Sequence, residues 1–226
     1  MPPTASPLDG LSRRIVTCRR CPRLRAWARE VVRNKRAAFA EESYWGRPVP
    51  GFGDPEARLL LVGLAPAAHG ALRTGRMFTG DRSGDFLFAA LHRAGFATQP
   101  TSQRRGDGLE LRGAWLTAAL RCAPPANHPL PAELANCLPY LVRELELLHR
   151  LRVIVALGAI AHRQVLRALG LPAAHAHFAH AAECAAGPYR LLASYHPSQQ
   201  NTFTGRLTPA MLDAVLARAR ALAPVV

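Results

Sequence analysis

The sequence predicts an α/β fold, a three-layer α/β/α sandwich around a central four-stranded parallel sheet, and three observations carry that expectation. Four short apolar runs recur along the chain, at 59–64, 114–120, 153–157 and 189–195. Between them lie stretches whose apolar residues follow a three-and-four rhythm, and strands that alternate with helices build a parallel sheet covered on both faces. Each run empties into a loop rich in Gly, Pro or polar residues, and open α/β sheets bind ligands at the carboxyl ends of their strands. A chain of 226 residues with 49% apolar content buries one substantial core, so a single domain is expected over 1–226.

Taken in order, residues 8–33 read as helix interrupted by Cys18-Arg19-Arg20-Cys21-Pro22. Residues 33–54 then cross irregularly, with the basic cluster Arg33-Asn34-Lys35-Arg36 and the aromatics Tyr44, Trp45 and Phe52 among Gly and Pro. That stretch suits a nucleic-acid backbone or a solvated face equally well. The first strand, Leu59-Leu60-Leu61-Val62, runs into Gly63-Leu64-Ala65-Pro66-Ala67-Ala68-His69-Gly70 and, eleven residues on, Asp81. Ser83 is expected to cap a helix carrying Phe86, Leu87, Ala90, Leu91 and Ala94 and ending at Gly95. The second strand leads into Arg121-Cys122-Ala123-Pro124-Pro125-Ala126-Asn127-His128-Pro129 and a helix over 131–149, with a kink or restart at Pro139. The third strand ends at Gly158 and feeds a helix over 159–169. The fourth runs into His196-Pro197-Ser198-Gln199-Gln200-Asn201, and Thr208 before Pro209 starts a last helix to Leu222. This layout brings Asp81, Asn127 and His196 to one edge of the sheet, the convergence a catalytic pocket requires.

The formal charge is +14 and the pI near 11.1, so the expected partner is a polyanion, with a generally basic surface as the plainer alternative. A metal-dependent nuclease needs several convergent carboxylates, and this neighbourhood offers Asp81 and Asp85 alone. The Gly63 to Gly70 loop lacks the Gly-Lys-Ser/Thr ending of a phosphate-binding loop. The segment from Met1 to Pro7 has no apolar stretch of the signal-peptide kind, and no run of 18 apolar residues occurs, so a soluble cytoplasmic protein free of membrane contact is expected.

Five cysteines are an odd number, and a reducing compartment disfavours disulfides. Cys18 and Cys21 form a Cys-x-x-Cys pair, and Cys122 and Cys137 supply two more thiols downstream. Together they could close a zinc site or hold a [4Fe–4S] cluster, and the spacing leaves both open, along with a reading without metal. Cys184 reads as a small buried hydrophobe. His175, His177 and His180 beside it read as a polar loop rather than a second metal site.

Four segments now carry a resemblance: Gly63-Leu64-Ala65-Pro66-Ala67, Phe78-Thr79-Gly80-Asp81, the stretch 122–127, and Ser194-Tyr195-His196-Pro197-Ser198. In combination they resemble the motifs of the uracil-DNA glycosylase superfamily, above all its type-5 group, and the likeness runs from Cys18 to the last helix. The resemblance implies a uracil-DNA glycosylase-like sheet and a [4Fe–4S] cluster on Cys18, Cys21, Cys122 and Cys137, zinc being the alternative. The cluster would staple the amino-terminal segment to the loop after the second strand.

The implied function is base excision repair: hydrolysis of the N-glycosidic bond of uracil in double-stranded and, as a second form, single-stranded DNA, by a monomer. That cleavage leaves negative charge on the base and oxocarbenium character on the sugar. His196 would donate a hydrogen bond to the base carbonyl, Asp81 would orient water or steady the sugar, and Phe78 would stack on the flipped base. Asn127 would contact water or base, while main-chain groups around Gly63, Ala65 and Ala67 line the pocket. The loop from Pro197 through Ser198 to Gly205, ending at Arg206, would enter the groove left by the base.

Leu64 stands where related groups carry a carboxylate, and Ala118 where they place an asparagine that reads uracil. Fewer base-reading side chains imply weaker discrimination, hence activity on hypoxanthine and xanthine as well. Strand cleavage through a Schiff base needs an amine, and Lys35 is the one lysine, so a monofunctional enzyme is expected. A non-catalytic iron–sulfur or zinc DNA-binding module is the alternative function.

Overall fold

A computed structural model describes residues 6–224; the ends of the expected domain, 1–5 and 225–226, lie outside the described residues. Helix α1 (Pro7–Val16) opens on a capping box in which the Ser6 hydroxyl accepts from the Asp9 amide while the Asp9 carboxylate accepts from the Ser6 amide. The turn holding Cys18 and Cys21 leads to α2 (Pro22–Arg33), whose first position is a proline pre-set for a helix start. There follow β1 (Phe52–Gly53), β2 (Leu59–Gly63), the single turn α3 (Ala71–Thr74), α4 (Arg82–Arg93), β3 (Ala114–Ala118) and α5 (Pro131–Leu147). The chain closes with β4 (Val153–Leu157), α6 (Ala159–Ala168), β5 (Glu183–Ala186), β6 (Tyr189–Ser194), the short α7 (Gln199–Phe203) and α8 (Pro209–Leu222).

Among the described residues the sheet has six strands in the order β1-β3-β2-β4-β6-β5. Its inner four, β3, β2, β4 and β6, are parallel, as the alternation of apolar runs with helices predicts. In register, Leu61 lies beside Leu116 and Val155, so these four strands discharge at one edge. Side-chain alternation explains why the runs are unbroken. Leu59 and Leu61 pack with Leu87, Phe88 and Leu91 of α4 and Leu212 and Leu216 of α8 on one face. Leu60 and Val62 pack on the other with Ile15 of α1, Leu141 of α5 and Val165 of α6. Both faces are covered, and strands buried on both faces need no polar positions.

The structure adds two antiparallel edge strands to that sheet. Phe52 and Gly53 pair with Leu116 and Trp115, and a Cβ at Gly53 would lie 2.3 Å from the Ala114 carbonyl oxygen, a closeness only glycine tolerates. At the other edge β5 and β6 form a hairpin through Gly187, which has φ +61°, and Pro188.

Three local expectations are corrected. The helix after the first strand starts two residues earlier than Ser83 implies, because Asp81 is its N-cap and accepts from the Gly84 amide at 2.9 Å. Helix α5 runs through Pro139 without restarting, since one missing N–H is outweighed by burial of Cys137, Tyr140, Leu141 and Glu144 on either side. The loop after His196 is not irregular throughout: Ser198 caps the short helix α7 within it. The last helix begins at the Thr208 cap and Pro209 and ends at Leu222, as expected.

Candidate active site

The loops leaving β2, β3 and β6 enclose a cavity of about 310 Å³ at the carboxyl edge of the sheet. Asp81, Asn127, His196, Phe78 and Ser198 all line it, as do Ala65 and Ala67; Leu64, Ser83 and Gln200 complete the wall. Gly63 and Arg206 are not brought to it. Gly63 instead makes room behind it, since a Cβ there would stand 2.7 Å from the ring of Phe78. Arg206 lies on the ring of Tyr195, 4.7 Å from its centroid, outside the cavity.

Phe78 is held in the left-handed region at φ +50°, a conformation that costs a bulky residue about 1–3 kcal/mol. Its carbonyl oxygen would lie 2.0 Å from a Cβ at residue 84, so Gly84 permits this turn. The turn aims the ring at His196, with centroids 5.7 Å apart and planes at 29°.

His196 lines the cavity with a half-buried ring, and desolvation lowers its pKa to about 4, so the imidazole is uncharged throughout the neutral range. Its backbone carbonyl accepts from Asn201 Nδ2 at 2.8 Å, which fixes the residue to α7. Among the described residues no hydrogen bond engages its ring nitrogens, leaving a neutral N–H for a ligand.

Asp81 performs two tasks. Its Oδ1 caps α4, while Oδ2 lies so near Gly70 that a Cβ there would be 1.9 Å away. Desolvation raises its pKa; the Gly84 amide works against the rise, and Asp85 adds to it. The result is a carboxylate more basic than usual, with one oxygen held by the helix.

Asn127 reaches the cavity through two consecutive left-handed residues, Ala126 at φ +51° and Asn127 at φ +59°. Asparagine tolerates that region better than most residues. Ser198 contributes a hydroxyl already used as the cap of α7.

The cavity opens on a larger groove of about 760 Å³ that shares Ala67, Asp81 and Asn127 with it. Arg36, Arg73 and Arg82 line this groove together with Trp27, Phe39 and Phe203. Several of these residues escape sequence reasoning. Arg73 is buried, pairs with Glu42, donates to the carbonyls of His69 and Gly80 at 2.8 Å each, and lies 3.9 Å from the centroid of Phe39. It therefore holds the whole 69–80 loop in place immediately before Asp81. Phe203 is 68% exposed at the end of α7 and lies beneath the guanidinium of Arg82. The one available signal for it was an aromatic in an otherwise polar stretch, Gln200-Asn201-Thr202-Phe203-Thr204. Lys35 donates to the Ala40 carbonyl and lines neither space.

Away from this edge, Cys18, Cys21, Cys122 and Cys137 line one shared cavity with Arg20, Arg25 and Arg121. All five cysteines are free thiols. Burial pushes the Cys122 thiol up to about 12 and the Cys137 thiol up to about 11. Asn136 Nδ2 donates to Cys21 Sγ at 3.5 Å. Among the described residues, no three His, Cys, Asp or Glu side chains are placed to hold a single metal ion. The histidines near Cys184 serve the hairpin: His180 accepts from the Tyr195 amide, and His175 pairs with the Ala185 carbonyl. No helix among the described residues is long and apolar enough to cross a membrane.

Comparison with known proteins matches this architecture. The family model of the uracil DNA glycosylase superfamily covers residues 50–220. A type-5 uracil-DNA glycosylase of Mycobacterium leprae is 54% identical over 225 residues, 98% of each chain. One from Thermus thermophilus is 56% identical, covering 92% of this chain and 95% of its own. Another from Pyrobaculum aerophilum is 49% identical over 94% of this chain and 92% of its own. With the motif residues gathered at one sheet edge and likeness of this extent along its length, the chain belongs to the uracil-DNA glycosylase superfamily, in its type-5 group.

Proposed function

We propose that this protein is a monofunctional DNA glycosylase that hydrolyses the N-glycosidic bond of uracil, and of hypoxanthine and xanthine, during base excision repair. The observation that carries this reading is the meeting of Asp81, Asn127 and an uncharged His196 in one cavity beside Phe78, at the edge of an arginine-lined groove. Double-stranded DNA lies along the groove and presents one flipped nucleotide to the cavity, with single-stranded DNA as a second form. The enzyme acts in the cytoplasm as a monomer.

The chemistry follows from where charge develops. As the bond from sugar to base breaks, its electron pair moves to the base and the sugar becomes cationic. His196 donates its neutral N–H to the base carbonyl oxygen as that oxygen gains charge; a neutral donor strengthens the interaction only as the bond breaks. Asp81 Oδ2, next to Gly70, accepts a proton from the attacking water while the water oxygen bonds to the sugar carbon. Asn127 holds that water or the base edge, and Phe78 stacks on the base. The departed base takes up one proton from solvent. Lys35, the one lysine, lines neither the cavity nor the groove and donates to the Ala40 carbonyl, which supports hydrolysis without strand cleavage.

Breadth toward deaminated purines is supported by the wall of the cavity. Leu64, Ala65 and Ala67 offer apolar surface and backbone, and the Ser198 hydroxyl and Asp81 Oδ1 are already occupied as helix caps. Few polar groups remain to be left unpaired by a different base.

Cys18, Cys21, Cys122 and Cys137 would hold a [4Fe–4S] cluster. Four free thiols lining one cavity suit it, and their failure to converge on a single point favours it over zinc. When bound, the cluster supplies a cross-link, tying the turn between α1 and α2 to the segment after β3 that carries Asn127.

The deciding experiment is a single-turnover assay on duplexes that each carry one uracil, hypoxanthine or xanthine, with and without alkali. Release of uracil and at least one purine, with nicks after alkali alone, is expected. Uracil release without either purine overturns the breadth. No release despite tight, salt-sensitive binding would instead indicate the non-catalytic DNA-binding module.

A further inference from the structure

Arg121 presents a problem that the glycosylase chemistry does not solve. The residue follows β3, is 1% exposed, and lines the cavity formed by Cys18, Cys21, Cys122 and Cys137. Its two terminal nitrogens are engaged: Nη2 donates to Glu144 Oε2 at 2.5 Å, and Nη1 donates to Glu144 Oε1 at 3.2 Å and to the Thr117 hydroxyl. Glu144, also 1% exposed, is fully supplied, since Thr117 Oγ1 donates to Oε2 at 2.9 Å and Trp115 Nε1 to Oε1 at 3.3 Å. The third nitrogen of the guanidinium, Nε, is buried with no partner for its N–H among the described residues. An unsatisfied donor on a buried cation is costly, and native proteins seldom leave one without a use.

We infer that Arg121 is the internal donor that positions the iron–sulfur cluster, its Nε–H bonding to a sulfur of the group held by the four cysteines. The inference rests on the cluster reading above. Another donor at the cavity already serves sulfur: Asn136 Nδ2 bonds to Cys21 Sγ at 3.5 Å. A cluster bound by four thiolates is an anion with sulfur acceptors, and a guanidinium with a free N–H complements both properties. Through the Thr117 and Glu144 contacts, the same guanidinium anchors the cluster to β3 and α5 at once. Arg121 is thus a positioning residue, acting on the reaction only through the 122–127 segment that follows it.

The test uses the full chain purified without oxygen. Iron and acid-labile sulfide per chain are measured first; wild-type protein lacking both would overturn the cluster reading, and this inference with it. Three variants follow. Arg121→Lys keeps a cation for Glu144 but removes the Nε donor. Should Arg121→Lys fail to fold, the double variant Arg121→Gln/Glu144→Gln removes donor and charge pair together. Glu144→Gln keeps the donor. Loss of the visible cluster absorbance in chelator is expected to be about tenfold faster or more in the two Arg121 variants, and within about threefold of wild type in Glu144→Gln.

Resonance Raman bands of the iron–sulfur stretches, bridging and terminal, separate positioning from mere stability, because removal of a hydrogen bond to sulfur moves them. A shift is expected in the Arg121 variants and none in Glu144→Gln. Loaded variants with wild-type loss rates and bands overturn the inference while leaving the cluster intact. So does Glu144→Gln losing its cluster as fast as Arg121→Lys, which would reduce Arg121 to half of an ion pair.

Discussion

Replacing Asp81 by asparagine separates the helix cap that its side chain makes from the general-base role proposed for it. Asparagine caps helices as well as aspartate does, so its amide oxygen can keep the bond from the Gly84 amide now made at 2.9 Å by Oδ1. Burial raises the Asp81 pKa, so the ionised carboxylate weighs against the native state as pH rises through that raised value. Asparagine removes this burden, and the variant should melt at or above the wild-type temperature at neutral pH. Its chemistry should fail. A missing general base costs about 10²–10⁴-fold, equivalent to roughly 2.7–5.4 kcal/mol of barrier.

The assay pairs a thermal melt with single-turnover uracil release across pH. In wild type the rate should climb with pH through an acid limb lying above the ordinary aspartate value of 3.8, because the base must be ionised. In Asp81→Asn that limb should vanish. His196, at about 4, adds no titration in the neutral range. A variant within threefold of the wild-type rate, or one that keeps the acid limb, would refute the assignment of Asp81 as the base. Asp81→Ala is the companion: it loses the cap too, and should fall in stability by about 0.5–2 kcal/mol.

Three further outcomes are expected. His196→Ala should slow single-turnover release by about 10²–10³-fold with little change in DNA affinity, and a drop below tenfold would remove it from the chemistry. Gly63→Ala places a Cβ 2.7 Å from the Phe78 ring and should weaken binding of the flipped base by roughly tenfold, read as substrate affinity rather than saturated rate. Arg36→Gln and Arg82→Gln, in the groove, should each lower by about one the slope of log affinity against log salt; an unchanged slope would move the DNA elsewhere.

The parts of this protein legible in its sequence are those governed by local pattern. Leu59, Leu61, Leu60 and Val62 alternate between two cores, which is why an unbroken apolar run announces a strand covered on both sides. The same strands bring Asp81, Asn127 and His196 to one edge, so the site was legible wherever topology alone places it. What escaped depends on contacts distant in the chain. Strand β5 reads Glu-Cys-Ala-Ala, without β-branched residues, and exists because β6 offers it an edge. Asp81 and Ser83 are both good caps, and the turn through Phe78 and Gly80 decides between them. Arg73 looks like any surface arginine until Glu42, thirty-one residues away, and the His69 and Gly80 carbonyls close around it. Gly63 belongs to the motif, yet its use is the volume it leaves for Phe78.

The cavity lined by four thiols also sets a timetable for biosynthesis. Cys18 and Cys21 leave the ribosome early, whereas Cys137, buried in α5, emerges 116 residues after Cys21. At about 5–20 residues per second, the first pair waits roughly 6–23 s for the wall it will face. Helix α1 packs on α5 and waits equally long for its apolar cover. During that interval two thiols ride on an arginine-rich nascent segment open to oxidants, and oxidised sulfur would arrive at the finished cavity unable to hold the cluster proposed for it. For the proposed cluster, the vulnerable moment is therefore the synthesis of the chain, before the second half of the sheet exists.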